Sequence, residues 1–315
     1  MMKVVFLVSV GAVAASCLAS AATNLPPLRA DRWVNSPPLS AEALRGKVVI
    51  VDFWEYKCVN WIRTAPYVKE WNRAYAPLGL VVIGVHAPEF EFGKDAGNID
   101  RGIRDHGLTY PIAIDNDFAI WRAFGNDAWP AKYLFDDQGR LVQRWIGEGS
   151  YDQIEREIRR LLVAANPGKP LTGGERAGID VREDGSAFLR RHHERDVHRR
   201  RATERGAVTL KGNWDTDRQY VELKKGRGEI VVPFVAGEVN LVMQPGPSGR
   251  AAVSVLLDGK PIGDARGMDV GMDGVARFDR SGMIRLVAGA PPRRHVLTLS
   301  SNDQGLRAYV FTFGP

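Results

Sequence analysis

Val51-Asp52-Phe53-Trp54-Glu55-Tyr56-Lys57-Cys58-Val59-Asn60-Trp61-Ile62-Arg63-Thr64-Ala65-Pro66 is the stretch whose reading decides the fold. An apolar, β-branched and aromatic run from Val48 to Trp54 predicts a strand, and the pattern from Cys58 to about Tyr75 predicts a helix. A second apolar run, Leu80 to Val85, follows. Strand, helix and strand at this spacing form a βαβ unit, in which the two strands run parallel. Cys58 therefore sits where a strand passes into a helix. There its sulfur faces free backbone N–H groups and the positive end of the helix dipole, both of which favour thiolate over thiol, and Lys57 adds a nearby positive charge. Cys58 is the candidate nucleophile. A lone cysteine is more often a buried, inert residue, and the junction is what argues for an accessible, activated thiol.

Outward from this centre, helical spacing is expected around Ile99 to His106 and a short strand near Pro111 to Ile114. A hairpin joins Lys132–Phe135 to Leu141–Ile146 through Asp136-Asp137-Gln138-Gly139. Ile154, Ile158, Leu161 and Leu162 place a closing helix over Tyr151 to Ala165. A mixed sheet with helices on its faces is the α/β class this implies. From about Gly206 the helical period disappears. Short strands over Glu229–Phe234, Glu238–Gln244, Ala252–Leu257, Ile284–Val287, His295–Ser300 and Leu306–Phe313 alternate with turn residues. They predict an all-β sandwich or jelly-roll domain. Tyr309, Phe311 and Phe313 alternate at period two, which assigns all three to the sandwich interior. Against that, Trp214, Tyr220, Tyr309 and Phe311 are candidates for a sugar-stacking platform.

The chain has 315 residues, 44% hydrophobic and 25% charged, with 43 Lys+Arg, 37 Asp+Glu and 2 Cys. Such a composition excludes wholesale disorder, a collagen-like repeat and a disulfide scaffold, and the length favours two domains. The N-terminus carries Lys3, an apolar Val4–Ala15 and the small residues Ala19-Ser20-Ala21, the pattern of a signal peptide over residues 1–21 and of an exported, periplasmic protein. Its uncharged run is long enough for an uncleaved anchor, and Cys17 after small residues offers a lipidation site. Cleavage after Ala21 removes Lys3 and Cys17, leaving a net charge of +5 (42 minus 37) and one thiol, Cys58. A lone thiol in an oxidising compartment is buried, joined to another molecule, or reactive. The remaining boundaries are an extension over 22–46, the α/β domain over 47–165, a connector over 166–205 and the β domain over 206–315. Arg190 to Arg205 holds seven Arg against Glu194, Asp196 and Glu204. This reads as a solvated connector or an anionic contact and, in an exported protein, not as a nucleic-acid site. His192, His193 and His198 match no metal-ligand spacing, so neither a metal nor another cofactor is expected.

Several of these residues resemble a known family. Asp52 six residues before the cysteine, Phe53-Trp54, Pro66 eight residues after it, and Trp129-Pro130-Ala131 before a strand are similar to the thioredoxin superfamily. Trp54 to Pro66, Val85 to Phe90, Ile114 to Asp117 and Gly147-Glu148-Gly149 resemble its exported TlpA-like and DipZ-type branch of redoxin (AhpC/TSA-like) proteins. Leu210 to Trp214, Leu257 to Lys260 and Ala308 to Gly314 resemble the DipZ-type β-rich C-terminal domain. The resemblance implies a thioredoxin fold and a cis Pro130 that helps bind extended substrate beside the active cysteine. It also implies a second cysteine at position 61, where this chain has Trp61, and an Asp52 whose family role is to deprotonate that missing thiol. Glu89 is a further candidate acid or base, though an exposed loop carboxylate is the simpler reading.

Three functions follow from these readings. In the first, Cys58 acts as a monothiol in thiol redox homeostasis: it forms mixed disulfides with a protein or low-molecular-weight thiol or disulfide, and an external thiol reductant completes the exchange. In the second, a non-enzymatic protein binds a protein or glycan partner through Trp54, Trp61, Trp129 and the β domain. The third is antioxidant peroxide reduction through a sulfenic acid on Cys58. A peroxidase pattern places Thr or Ser where this chain has Glu55, which weighs against it.

Overall fold

The structure, a computed structural model, describes residues 24–168, 208–291 and 293–314. The chain divides into two compact units. Residues 1–21, with Cys17, and the basic stretch with His192, His193 and His198 lie outside the described residues.

The first unit is a six-stranded sheet. Its strands are β1 (Arg32–Val34), β2 (Val48–Trp54), β3 (Leu80–His86), β4 (Ile112–Ile114), β5 (Ala131–Phe135) and β6 (Leu141–Ile146), in the order β1-β4-β3-β2-β5-β6. β2, β3 and β4 are parallel, while β1, β5 and β6 each run antiparallel to their neighbour. The helices are α1 (Val59–Tyr75), α2 (Ala96–Asp105), α3 (Ala119–Ala123) and α4 (Tyr151–Ala165). This is the expected thioredoxin-like α/β fold.

Both faces of β2 are covered, which is why it reads as a continuous apolar run. Val48, Ile50 and Trp54 join a core with Trp61, Ala65 and Val68 of α1, Ile99 of α2 and Ile154 and Ile158 of α4. Val49, Val51 and Phe53 join a second core with Ile120 of α3, Phe124 and Leu25. By the same alternation Asp52 points to the α1 face.

One glycine fixes how closely these parts pack. A Cβ at Gly84 of β3 would lie 2.7 Å from Ile112 Cδ1, 3.0 Å from Trp54 Nε1 and 3.1 Å from Tyr110. Gly84→Ala is therefore expected to cost about 1–3 kcal/mol, as overpacked cores do, read as a lower denaturant midpoint with an unchanged slope.

The second unit has nine strands. They are β7 (Thr209–Thr216), β8 (Val221–Phe234), β9 (Glu238–Gln244), β10 (Ala251–Leu257), β11 (Lys260–Pro261), β12 (Val275–Phe278), β13 (Gly282–Val287), β14 (His295–Ser301) and β15 (Arg307–Gly314). They form one hydrogen-bonded network, with β12 branching from β10 and β7 from β8. β8 is 14 residues long and pairs with β7, β14 and β15. The unit is β-rich as expected, with its strands joined in one network around a core of Leu223, Val232, Leu241, Leu286 and Leu297.

The period-two reading of β15 fails at one place. Ala308 pairs with Met243 and Phe311 with Leu241, so β15 carries an extra residue there. This bulge puts Ala308, Phe311 and Phe313 on the core and takes Tyr309 off it. Tyr309 instead donates from its hydroxyl to Gln244 Oε1 at 2.5 Å and lies near Tyr220, over whose ring Arg307 sits at 4.5 Å. Nor do Trp214 and Phe311 complete an aromatic platform. Trp214 is tucked against Gly228, its Nε1 donating to Lys211 O at 2.9 Å, and Phe311 packs against the core.

Candidate functional site

Four segments meet at the end of the sheet where β2 and β3 finish. The turn after β2 carries Cys58 into α1, and the loop after β3 carries Ala87 to Phe90. The segment before β5 carries Trp129-Pro130, and the segment after β6 carries Gly147 to Gly149. Because β5 is antiparallel to β2, with Ala131 opposite Phe53, Pro130 falls at the end of β2 from which Cys58 follows. The Trp129–Pro130 bond is cis, as expected. Trp129 Nε1 donates to Ala87 O at 2.9 Å, Ala87 N to Trp54 O at 3.2 Å, and Gly147 N to Pro130 O at 2.8 Å. These bonds fasten the four segments to one another.

Cys58 is the N-cap of α1 and is half-buried. Its surroundings overturn the expected activation. The amides of Trp61 and Asn60 at the open helix end do favour the thiolate, but burial outweighs them, and with Glu89 and Glu55 nearby the thiol is pushed up to about 12. Helix position alone was the wrong predictor, because desolvation acts on the same atom with the opposite sign.

The tryptophans expected to form a binding surface are mostly core. Trp54 and Trp61 are both fully buried and pack together with ring centroids 4.6 Å apart. They cannot touch a substrate in this structure. Trp129 is partly exposed and remains at the site. Asp52 is fully buried: it accepts from Trp61 Nε1 at 2.8 Å, and Lys132 Nζ, its cross-strand neighbour, lies 3.3 Å away. Burial raises the Asp52 carboxyl and lowers the Lys132 ammonium, each opposed by the other's charge. Asp52 is thus an anchor for Trp61 rather than an open acid. Glu89 is half-buried rather than an exposed loop carboxylate, and burial raises it.

Sequence reasoning treated Glu55 only as a mismatch to a peroxidase pattern. The residue is fully buried and pushed up to about 8, first by burial and also by Glu89, against the amides of Lys57 and Cys58. Its Oε2 accepts from Lys57 N at 2.6 Å, while its Oε1 has no partner. The legible signal was an acid directly continuing an apolar strand run. His86, also missed, is fully buried between Tyr56 and Trp54 with both ring nitrogens unpartnered, and burial holds it down to about 3. Among the described residues no three His, Cys, Asp or Glu side chains are placed to hold a metal ion.

Residues 27–144 match the AhpC/TSA family, and residues 180–314 match the thioredoxin like C-terminal domain family. The chain is 46% identical over 142 residues to Protein DipZ of Mycobacterium bovis, a match covering 44% of this chain and 20% of DipZ. It is 30% identical over 140 residues to the thiol-disulfide oxidoreductase YkuV of Bacillus subtilis, covering 44% of this chain and 94% of YkuV. A solution structure of a thioredoxin-like protein in its oxidized form has 31% identity, covers 46% of this chain and 97% of that one, and gives a TM-score of 0.42. The match thus spans about a fifth of DipZ and nearly all of YkuV.

Proposed function

Because the chain belongs to the thioredoxin-like thiol-disulfide oxidoreductase family that includes YkuV, we propose that it exchanges disulfides as a monothiol through Cys58. Trp61 stands where the family pattern has its second cysteine. The observation that carries this reading is the placement of a half-buried thiol at the head of α1, at the same sheet end as the cis Trp129–Pro130 segment. In this reading Cys58 Sγ attacks a disulfide of a protein or small thiol, one substrate sulfur leaves as thiolate, and a mixed disulfide remains. With no second cysteine in α1, release falls to an external thiol. In this reading an extended substrate would lie beside the cis Trp129–Pro130 segment, of which Trp129 is the partly exposed member. The leader-like residues 1–21 place the protein outside the cytoplasm in this reading, and among the described residues no helix is long and apolar enough to cross a membrane.

The test uses the full chain carrying Cys17→Ser, so that Cys58 alone can react. Incubation with oxidised glutathione at pH 8 to 9 should add one glutathione per chain by intact mass. The adduct should persist until a free thiol is supplied, and Cys58→Ser should show none. No adduct over this range would refute thiol exchange and leave partner binding as the function.

A further inference from the structure

Thiol exchange at Cys58 needs a destination for the sulfur's proton, since the surroundings of Cys58 favour the protonated form. Four carboxyl groups lie in the neighbourhood, of which Glu148, in the segment after β6, is paired with Arg63 at 3.5 Å. Asp52 is committed to Trp61 Nε1 and to Lys132, and Glu89 is on the loop after β3, half-buried. Glu55 differs from all three. Residues 55 to 58 are one turn, closed by Cys58 N donating to Glu55 O at 3.1 Å, so the two ends of the turn are within about 7 Å at Cα. The Glu55 side chain folds back over that turn: Oε2 is held by Lys57 N at 2.6 Å and the carboxylate faces the amides of Lys57 and Cys58. Its second oxygen, Oε1, is fully buried and unpartnered. The loop after β3 covers it so closely that a Cβ on Gly93 would lie 3.7 Å from Oε1. A buried carboxyl oxygen left without a partner carries a desolvation penalty that a native fold rarely leaves uncompensated. The nucleophile stands at the other end of the same turn, and the Glu55 charge acts on it through space, with no hydrogen bond joining Cys58 Sγ to the carboxyl in this structure.

We propose that Glu55 is the proton acceptor for Cys58, resting on the thiol-exchange reading above: as Sγ attacks a disulfide its proton passes to Glu55, and Glu55 then returns it to the departing thiolate. One S–S bond breaks and one forms, the proton moves from Sγ to carboxylate to the leaving sulfur, and no further oxidant or reductant takes part. The charged and titratable groups facing this pair are Lys57 on the same turn, Tyr56 beside it, Glu89 on the loop after β3 and Lys132 on β5. Glu89 is a like charge to both members and holds the proton on the pair. Lys132 favours the thiolate.

The experiment is the rate of iodoacetamide alkylation of Cys58 from pH 6 to 11, in Cys17→Ser chains with and without Glu55→Gln. With Glu55 present the pair loses its first proton near the Glu55 value of about 8, so the rate should climb to that pH and then level, as coupled groups do. Glu55→Gln should show no break there and rise about tenfold per pH unit through it. Glu89→Gln should keep the break and move it to lower pH. Parallel profiles for wild type and Glu55→Gln through pH 8 would overturn the assignment. If Glu55→Gln does not fold, the 13C carboxyl resonance of Glu55 decides. A two-step titration in the Cys17→Ser chain that collapses to one step with Cys58→Ser supports the shared proton, and identical titrations refute it. The glutathione adduct is scored separately, so a failure of exchange chemistry is distinguishable from a failure of Glu55 as its acceptor.

Discussion

Lys132→Met should be among the most damaging single substitutions in the first unit, lowering stability by about 3–5 kcal/mol, because it leaves the Asp52 carboxylate buried without its counter-charge. The sign of its pH dependence follows from the direction of the Asp52 shift. Burial already raises Asp52 with Lys132 in place, and without the lysine nothing charged opposes that. A carboxyl raised in the folded state contributes stability that is present below its unfolded value of about 4 and lost as pH rises through the folded one. The gap between wild type and Lys132→Met should accordingly be widest at neutral pH and narrow as the solution is acidified. Both members of the pair are shifted towards their neutral forms, so desolvation exceeds their mutual attraction. The double substitution Asp52→Asn with Lys132→Met should therefore recover most of the loss, since Asn Oδ1 still accepts from Trp61 Nε1. Denaturation of the two singles and the double forms a double-mutant cycle. A double variant as unstable as the sum of the singles would contradict this account.

Trp61 carries the second large expectation. Trp61→Ala empties the space between α1 and Trp54 and removes the donor at 2.8 Å from Asp52. About 3–5 kcal/mol is expected from the cavity alone, with a further loss for the unpaired carboxylate oxygen. Trp61→Phe separates the two contributions. It keeps most of the apolar volume and loses only the Nε1 donor, so about 1–3 kcal/mol is expected. Chemical denaturation followed by the fluorescence of the remaining tryptophans reads both. If Trp61→Phe proved as damaging as Trp61→Ala, the hydrogen bond rather than the packing would be holding this part of the core.

The parts of this architecture that were legible are those where one periodicity governs one element. Val48–Trp54 and Tyr151–Ala165 have the limits expected of them, because a strand buried on both faces and an amphipathic helix each leave an unambiguous pattern. The cis bond before Pro130 was expected from the resemblance of Trp129-Pro130-Ala131 to the family's loop, not from any local pattern. β1 was missed because three residues with intermediate burial carry no period, and α3, of five residues, for a similar reason. Tyr309 was misplaced because a bulge adds one residue and reverses the face of everything before it. At the site, the error had another source. Residue type told which groups were there, but whether Trp54 and Trp61 stack on a ligand or on each other depends on how near β3 approaches, and that is set by Gly84, 30 residues from Trp54. The Cys58 environment was misjudged likewise. The helix end is written locally, whereas the loop carrying Glu89, which shares in raising the thiol, arrives from the far side of β3.

In the second unit, β8 and β9 are separated by only three residues, Val235 to Gly237, yet they do not pair with each other. β15 is inserted between them and is hydrogen-bonded to both. The hairpin that their proximity in sequence invites is therefore not a native intermediate, and a chain that forms it early must undo it. The correct register of β8 and β9 waits on a segment some seventy residues downstream, so the closing contacts carry a large loop-closure entropy. Topologies of this kind fold slowly compared with those built from neighbouring strands. Until β15 arrives, two strands with open edges stand side by side, which makes the interval before closure the moment of greatest exposure to intermolecular pairing.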